Sequence, residues 1–229
     1  MLGLTSEEWQ AVRLSCQVGL CAVFVTLPPA VAISYWLTRS SSRFKWLVEV
    51  AVNLPLVLPP VVTGYLLLVL LSPRGPIGRW LEAGLGVRIV FSWWAAALAA
   101  AVVSFPLMVR AARLSFQSVD VRLEMAARSL GAGPLDTFFS ITLPLARRGV
   151  LAGCILCFAR SLGEFGATIM IAGNSPSTRT IPLAIYSLLD RPDGEPQVWR
   201  LVLISIVLSA AALLVTEWLE RRQSLREAH

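Results

Sequence analysis

Lysine and histidine are almost missing from this 229-residue chain. The single lysine, Lys45, follows Phe44, so no Gly-Lys-Ser/Thr loop is present to cradle nucleotide phosphates. The single histidine, His229, reads as a solvated tail residue, which removes histidine-based triads, the HExxH zinc motif and histidine metal clusters. Four cysteines are far too few for a disulfide scaffold. Cys154 and Cys157 have CxxC spacing, but Ile155 and Leu156 lie between them in an apolar run. They read, with Cys16 and Cys21, as small apolar residues. Neither a metal site nor covalent chemistry is expected. Charge is scarce as well: 15% of residues are charged, where a soluble domain carries about 25%.

What the chain has instead is 56% hydrophobic residues and a mean hydropathy of +0.69. An all-α integral membrane protein follows. A hydrocarbon core about 30 Å thick takes roughly 20 helical residues. Five segments are long and apolar enough, near 11–37, 47–71, 92–114, 144–172 and 199–219. They contain unbroken apolar runs such as Val61–Leu71, without the alternation of a barrel strand. All eight tryptophans fall at or beyond expected span ends, where amphipathic rings prefer to sit.

The net charge of +6 is an orientation signal before it is a nucleic-acid footprint. Twelve basic residues share one side: Arg39, Arg43 and Lys45; Arg110, Arg113, Arg122, Arg128, Arg147 and Arg148; Arg221, Arg222 and Arg226. The other side carries six, offset by Glu7, Glu8, Glu82, Asp190, Asp193 and Glu195. The richer side is expected in the cytoplasm, with the N-terminus outside and the C-terminus inside. An acidic start, Ser6-Glu7-Glu8, argues against a cleaved signal peptide. The outer segment 173–197 holds an apolar stretch too short to span, expected as a lid, an interfacial helix or a re-entrant piece.

The long connection 120–144 reads as two short helices joined at glycine. Asp120 suits an N-cap, Leu123, Ala126, Ala127 and Leu130 form an apolar face, and Gly131 suits a left-handed helix end. Pro134 fits the next helix start, and Leu143-Pro144 is expected to break the chain again before the fourth span. The small residues around Gly131 leave backbone open to close approach by another protein.

Met125-Ala126-Ala127, three residues, Gly131, nine residues, Ile141, one residue and Leu143-Pro144 resemble the E-A-A-x3-G-x9-I-x-L-P signature of ABC importer permeases. The family's glutamate position is Met125, with Glu124 one place earlier, about 100° around the helix. The resemblance implies a type I (MetI-like) permease fold. It also implies an ATPase-coupling loop that includes Glu124, Met125, Ala126, Ala127, Gly131, Ala132, Ile141, Leu143 and Pro144. It implies no cofactor on this chain, since ATP and Mg belong to a separate ATPase subunit. Leu54–Leu68, Ser104–Arg110 and Ala159–Ala167, with Gly-Glu-Phe-Gly at 163–166, look like the permeases of molybdate ABC transporters. Sulfate permeases share the last stretch but usually carry an additional N-terminal span. Tungstate is an isostere of molybdate, and sulfate or thiosulfate is the alternative substrate.

A dianion crossing hydrocarbon needs a path lined by donors. Candidate path or gate residues are Pro59, Pro60, Thr63, Ser104, Arg160 and Glu164. Arg160 and Glu164, four apart, read either as an anion contact or as a structural salt bridge. The prolines, with Pro55, imply a kinked second span, and the hydroxyls line the path or bond their own helical turn. Five spans are too few to enclose a gated path alone. The expected partners are therefore a second copy of the chain, two ATP-binding subunits, an external molybdate-binding protein and membrane lipid, with no nucleic acid. A bacterial inner-membrane location goes with them. A stand-alone secondary transporter or channel would show an internal repeat and coupling carboxylates, and a membrane enzyme would show clustered His, Asp or Ser.

Overall fold

The computed structural model describes residues 3–227, without the side chains of 216 and 219–227; His229 lies outside the described residues. Among those residues every regular element is helical. Helix α1 (Ser6–Arg39) opens on a capping box: the Glu8 amide donates to Thr5 Oγ1 at 3.3 Å, and the Thr5 amide donates to the Glu8 carboxylate at 2.6 Å.

The expected second span is not one rod. It consists of α2 (Lys45–Val57) and α3 (Pro60–Leu71), set 111° apart. Pro59 is the cap residue and Pro60 the first residue of α3, so neither ring can donate to a preceding turn. A short amphipathic helix, α4 (Pro76–Leu85), lies in the connection that follows.

Helix α5 (Trp93–Gln117) is the central post. Ala95, Ala96, Ala97, Ala99, Ala100 and Ala101 are buried along it, and such small side chains let neighbouring backbones approach where no hydrophobic force separates helix from lipid. Leu14, Val18 and Ala22 of α1 pack on this run, as do Leu71 of α3 and the 167–172 segment.

Helix α6 (Val121–Ser129) is followed by α7 (Pro134–Thr137), a π-helical turn (Phe138–Thr142) and α8 (Leu143–Leu162). The last three form one helical body, Pro134–Leu162. Pro144 therefore does not break the chain. It sits at the start of α8, directly after the π turn, whose wider winding absorbs the missing amide donor. The expected fourth span also ends early. After Leu162 the chain turns through Gly163–Phe165 into a separate helix, α9 (Gly166–Ala172).

The outer segment carries one short helix. Its helix α10 (Ile181–Leu189) buries Ile181, Leu183, Ala184 and Leu188 and packs with Ala11 of α1 and Leu201 of α11 (Glu195–Glu227). Four helical bodies are long and apolar enough to cross a membrane, and the bent α2–α3 pair makes a fifth.

Candidate functional site

The loop that carries the family-like spacing is anchored at its base and open at its tip. Asp120 caps α6, accepting the Arg122 amide at 2.9 Å. Glu124 is turned inward. Its Oε1 accepts from Arg39 Nη2 at 2.8 Å, from Arg39 Nε at 3.2 Å and from Thr142 Oγ1 at 3.0 Å, while Arg39 Nη2 also donates to the Val119 carbonyl at 3.1 Å. One buried carboxylate thus joins the end of α1, the start of α6 and the π turn. The 100° step from Met125 puts Glu124 on the inner face of α6, where it is 4% exposed and its ion pair is made with Arg39 of the same chain. Met125 itself is 54% exposed.

The end of α6 is a Schellman motif. The Ala132 amide donates to the Ala127 carbonyl at 3.1 Å and the Gly131 amide to Arg128 at 3.0 Å, with Gly131 at φ +95°. Leu123, Leu130, Leu135 and Phe139 are exposed around it, Leu130 at 90%. The apolar face read from the sequence is therefore not packed on the chain's own spans. Ala126, Gly131 and Pro144 share this exposure, whereas Ala127, Ala132, Ile141 and Leu143 are half-buried. Beneath the loop Phe138 meets Tyr35 edge-on at 4.9 Å and Phe116 at 6.1 Å, fixing it to α1 and α5.

The candidate path residues other than Ser104 gather at two helix breaks that lie against each other. A Cβ on Gly166 would stand 2.9 Å from Pro60 Cβ, and one on Gly64 would stand 2.6 Å from the Ala167 carbonyl oxygen. The corner between α2 and α3 is thus packed on the corner between α8 and α9. Arg160 and Glu164 pair at 2.9 Å. Glu164 is buried and its Oε1 also accepts the Ala167 amide at 2.8 Å, so the carboxylate holds the second break closed. Thr63 is buried and its hydroxyl has no partner among the described residues. Ser104 is fully buried and donates to its own helix at Ala100, 2.6 Å, within 3.0 Å of Cys157 Sγ. That hydroxyl bonds its own helical turn and meets α8 at Cys157.

Two ties between helices, the first on a buried carboxylate, had no local sequence signal. Glu8 is buried and accepts from Arg200 Nε of α11 at 2.8 Å, and Arg113 pairs with Glu49 at 2.8 Å between α5 and α2. No group of three or more His, Cys, Asp or Glu is placed to hold a metal among the described residues.

These features define a membrane-spanning permease subunit: broken apolar helices around an alanine-rich post, and an exposed apolar loop at one end. Residues 30–225 match the family of binding-protein-dependent transport system inner membrane components. The chain is 53% identical over 219 residues to the molybdenum transport system permease protein ModB of Escherichia coli (strain K12), covering 95% of this chain and 96% of that one. It is 36% identical over 198 residues to ModB of Azotobacter vinelandii, covering 86% and 87%. The chain belongs to this family of ABC permeases, in its molybdenum-transport branch. Solved structures share the fold at low identity. A bacterial alginate ABC transporter in complex with alginate pentasaccharide-bound periplasmic protein superposes with TM-score 0.71 at 16% identity, covering 95% of this chain and 80% of that one. The inward-facing MetNI methionine ABC transporter gives 0.63 at 16%, covering 93% and 94%.

Proposed function

We propose that this chain is the translocating subunit of an ATP-driven importer for molybdate, with tungstate as the isosteric second substrate. The observation that carries the reading is the 53% identity to a molybdenum transport permease along nearly the whole of both chains. Two copies form the path, because four to five spans are too few to enclose a gated path alone. Two separate ATP-binding subunits seat the exposed loop around Met125, Ala126, Leu130 and Gly131. ATP and Mg act there, and this subunit hydrolyses nothing. An external molybdate-binding protein delivers the anion at the opposite end of the bundle.

The positive-inside bias supports a cytoplasmic coupling loop and an outer N-terminus. ATP binding draws the two loops together and supplies the differential free energy that shifts the spans between inward- and outward-facing states. The adjoining breaks at Pro59-Pro60 and Gly163–Phe165 give each protomer a place to flex. Substrate identity is tested by uptake of labelled molybdate in cells carrying the complete transporter. Competition by tungstate with little competition by sulfate is expected; equal competition by sulfate would sink the molybdate assignment.

A further inference from the structure

At the end of the bundle remote from the coupling loop, a recess of about 250 Å³ lies between the first turns of α1, the start of α5 and the 173–180 segment. It is lined by Gln10, Arg13, Leu14, Gln17, Trp93 and Ser177. Gln10, Arg13 and Gln17 recur at helical spacing, so one face of an otherwise apolar helix is polar over two turns. Gln10 Nε2 donates to the Pro176 carbonyl at 3.4 Å, drawing the outer segment over this face and bringing Ser177 to the rim. Trp93 is held by a stacked contact with Trp94, centroids 4.0 Å apart.

Arg13 distinguishes this recess from the other basic positions nearby. Arg160, Arg191 and Arg200 each carry a glutamate partner, and Arg179 is bound to Asn174 through Nε and Nη2. Arg13 has no ion pair or hydrogen bond among the described residues, and no carboxylate is among the six residues lining its recess. Arg13 is exposed near the outer end of α1, so its unpaired guanidinium is open to an anion that enters the recess. The surrounding groups are an Arg fork, two carboxamides, a hydroxyl and an indole N–H. All can donate, and the guanidinium suits the oxygens of a tetrahedral anion.

We propose that this recess is an oxyanion-binding site at the mouth of the permease, which receives the transported tetrahedral dianion before it enters the path, with Arg13 as its charge partner. The proposal rests on the molybdate reading given above and on the orientation that goes with it. Lipid phosphate shares the tetrahedral oxyanion chemistry, but its tails would have to leave the recess alongside the polar 174–177 cover.

The test is equilibrium binding of labelled molybdate to the purified complete transporter in nanodiscs, without the external binding protein. Wild type is compared with Arg13→Gln, Arg13→Lys, Ser177→Ala and, as a control outside the recess, Arg74→Gln. Saturable binding displaced by tungstate is expected, weakened at least tenfold in Arg13→Gln, less in Arg13→Lys and Ser177→Ala, and unchanged in Arg74→Gln. Elution of each variant as an intact complex guards against misfolding. No saturable binding by wild type, or equal binding by Arg13→Gln, would overturn the proposal. So would a co-purifying phospholipid that molybdate fails to displace and that Arg13→Gln loses. Uptake by the wild-type transporter, measured in parallel, separates the two failures: if wild type imports molybdate while Arg13→Gln binds it normally, only the mouth site is wrong, whereas a wild type that imports no molybdate refutes the broader reading.

Discussion

Glu124 and Met125 are neighbours in sequence with opposite surroundings. Glu124 meets Arg39, 85 residues away, and Thr142, whereas Met125 faces outward. Glu124→Ala strands a largely buried guanidinium and is expected to cost about 2–3 kcal/mol, since removing one member of a buried pair exceeds the value of the pair itself. Met125→Ala removes only exposed surface. Thermal melts of the purified transporter should therefore show a lower midpoint for Glu124→Ala and none of that loss for Met125→Ala; equal midpoints would remove the inward role of Glu124. The Arg160–Glu164 pair was legible because four residues place two side chains on one helical face. The ties of Arg39 to Glu124 and of Arg200 to Glu8 were not, because no local periodicity relates positions on different helices. The Gln10-Arg13-Gln17 face becomes a recess only where the Pro176-Ser177 turn overlies it, a contact between positions 166 residues apart.

Among the elements, the two broken bodies pack on each other at their corners. Pro59 and Pro60 announce an interruption, but not the 111° bend or the packing of its corner against α9, which the local sequence does not contain. Gly64 is the closest approach. A side chain there would strike the Ala167 backbone, and two helices, not a flexible tip, would have to give way. Gly64→Val is expected to overpack this contact by about 1–3 kcal/mol and to reduce uptake strongly. Gly84→Ala, whose added methyl meets open space, should leave uptake unchanged. Matching uptake by the two variants would show that the α3–α9 contact does not matter for transport. Pro144 teaches the converse. Its breaking tendency was plain in the sequence, but a π turn accommodates it, because the aromatic contacts of Phe138 with Tyr35 and Phe116 hold the preceding turns in place.

For the molecule as a whole, the fold class was legible from composition, since too little charge is present to coat a water-facing surface of this size. The pair of short helices joined at glycine in 120–144 was legible from the sequence, and the Schellman end of α6 explains why glycine stands at 131: φ +95° is costly for any side chain with a Cβ. What surrounds the loop was not legible, because exposure depends on which faces the spans have already covered. Leu130, at 90% exposure, and Met125 are left as apolar surface at one end of a chain that has no phosphate-binding loop of its own. The central claim is that transport by this chain runs on another subunit's ATP through that surface. It is tested most directly by labelled molybdate uptake into proteoliposomes loaded with ATP, using the chain with its ATPase and binding protein, the chain alone, and a Met125→Asp/Leu130→Asp variant with the same partners. Uptake is expected only in the first, with the variant failing to retain the ATPase on co-purification; ATP-independent uptake by the chain alone, or full uptake by the variant, would contradict it.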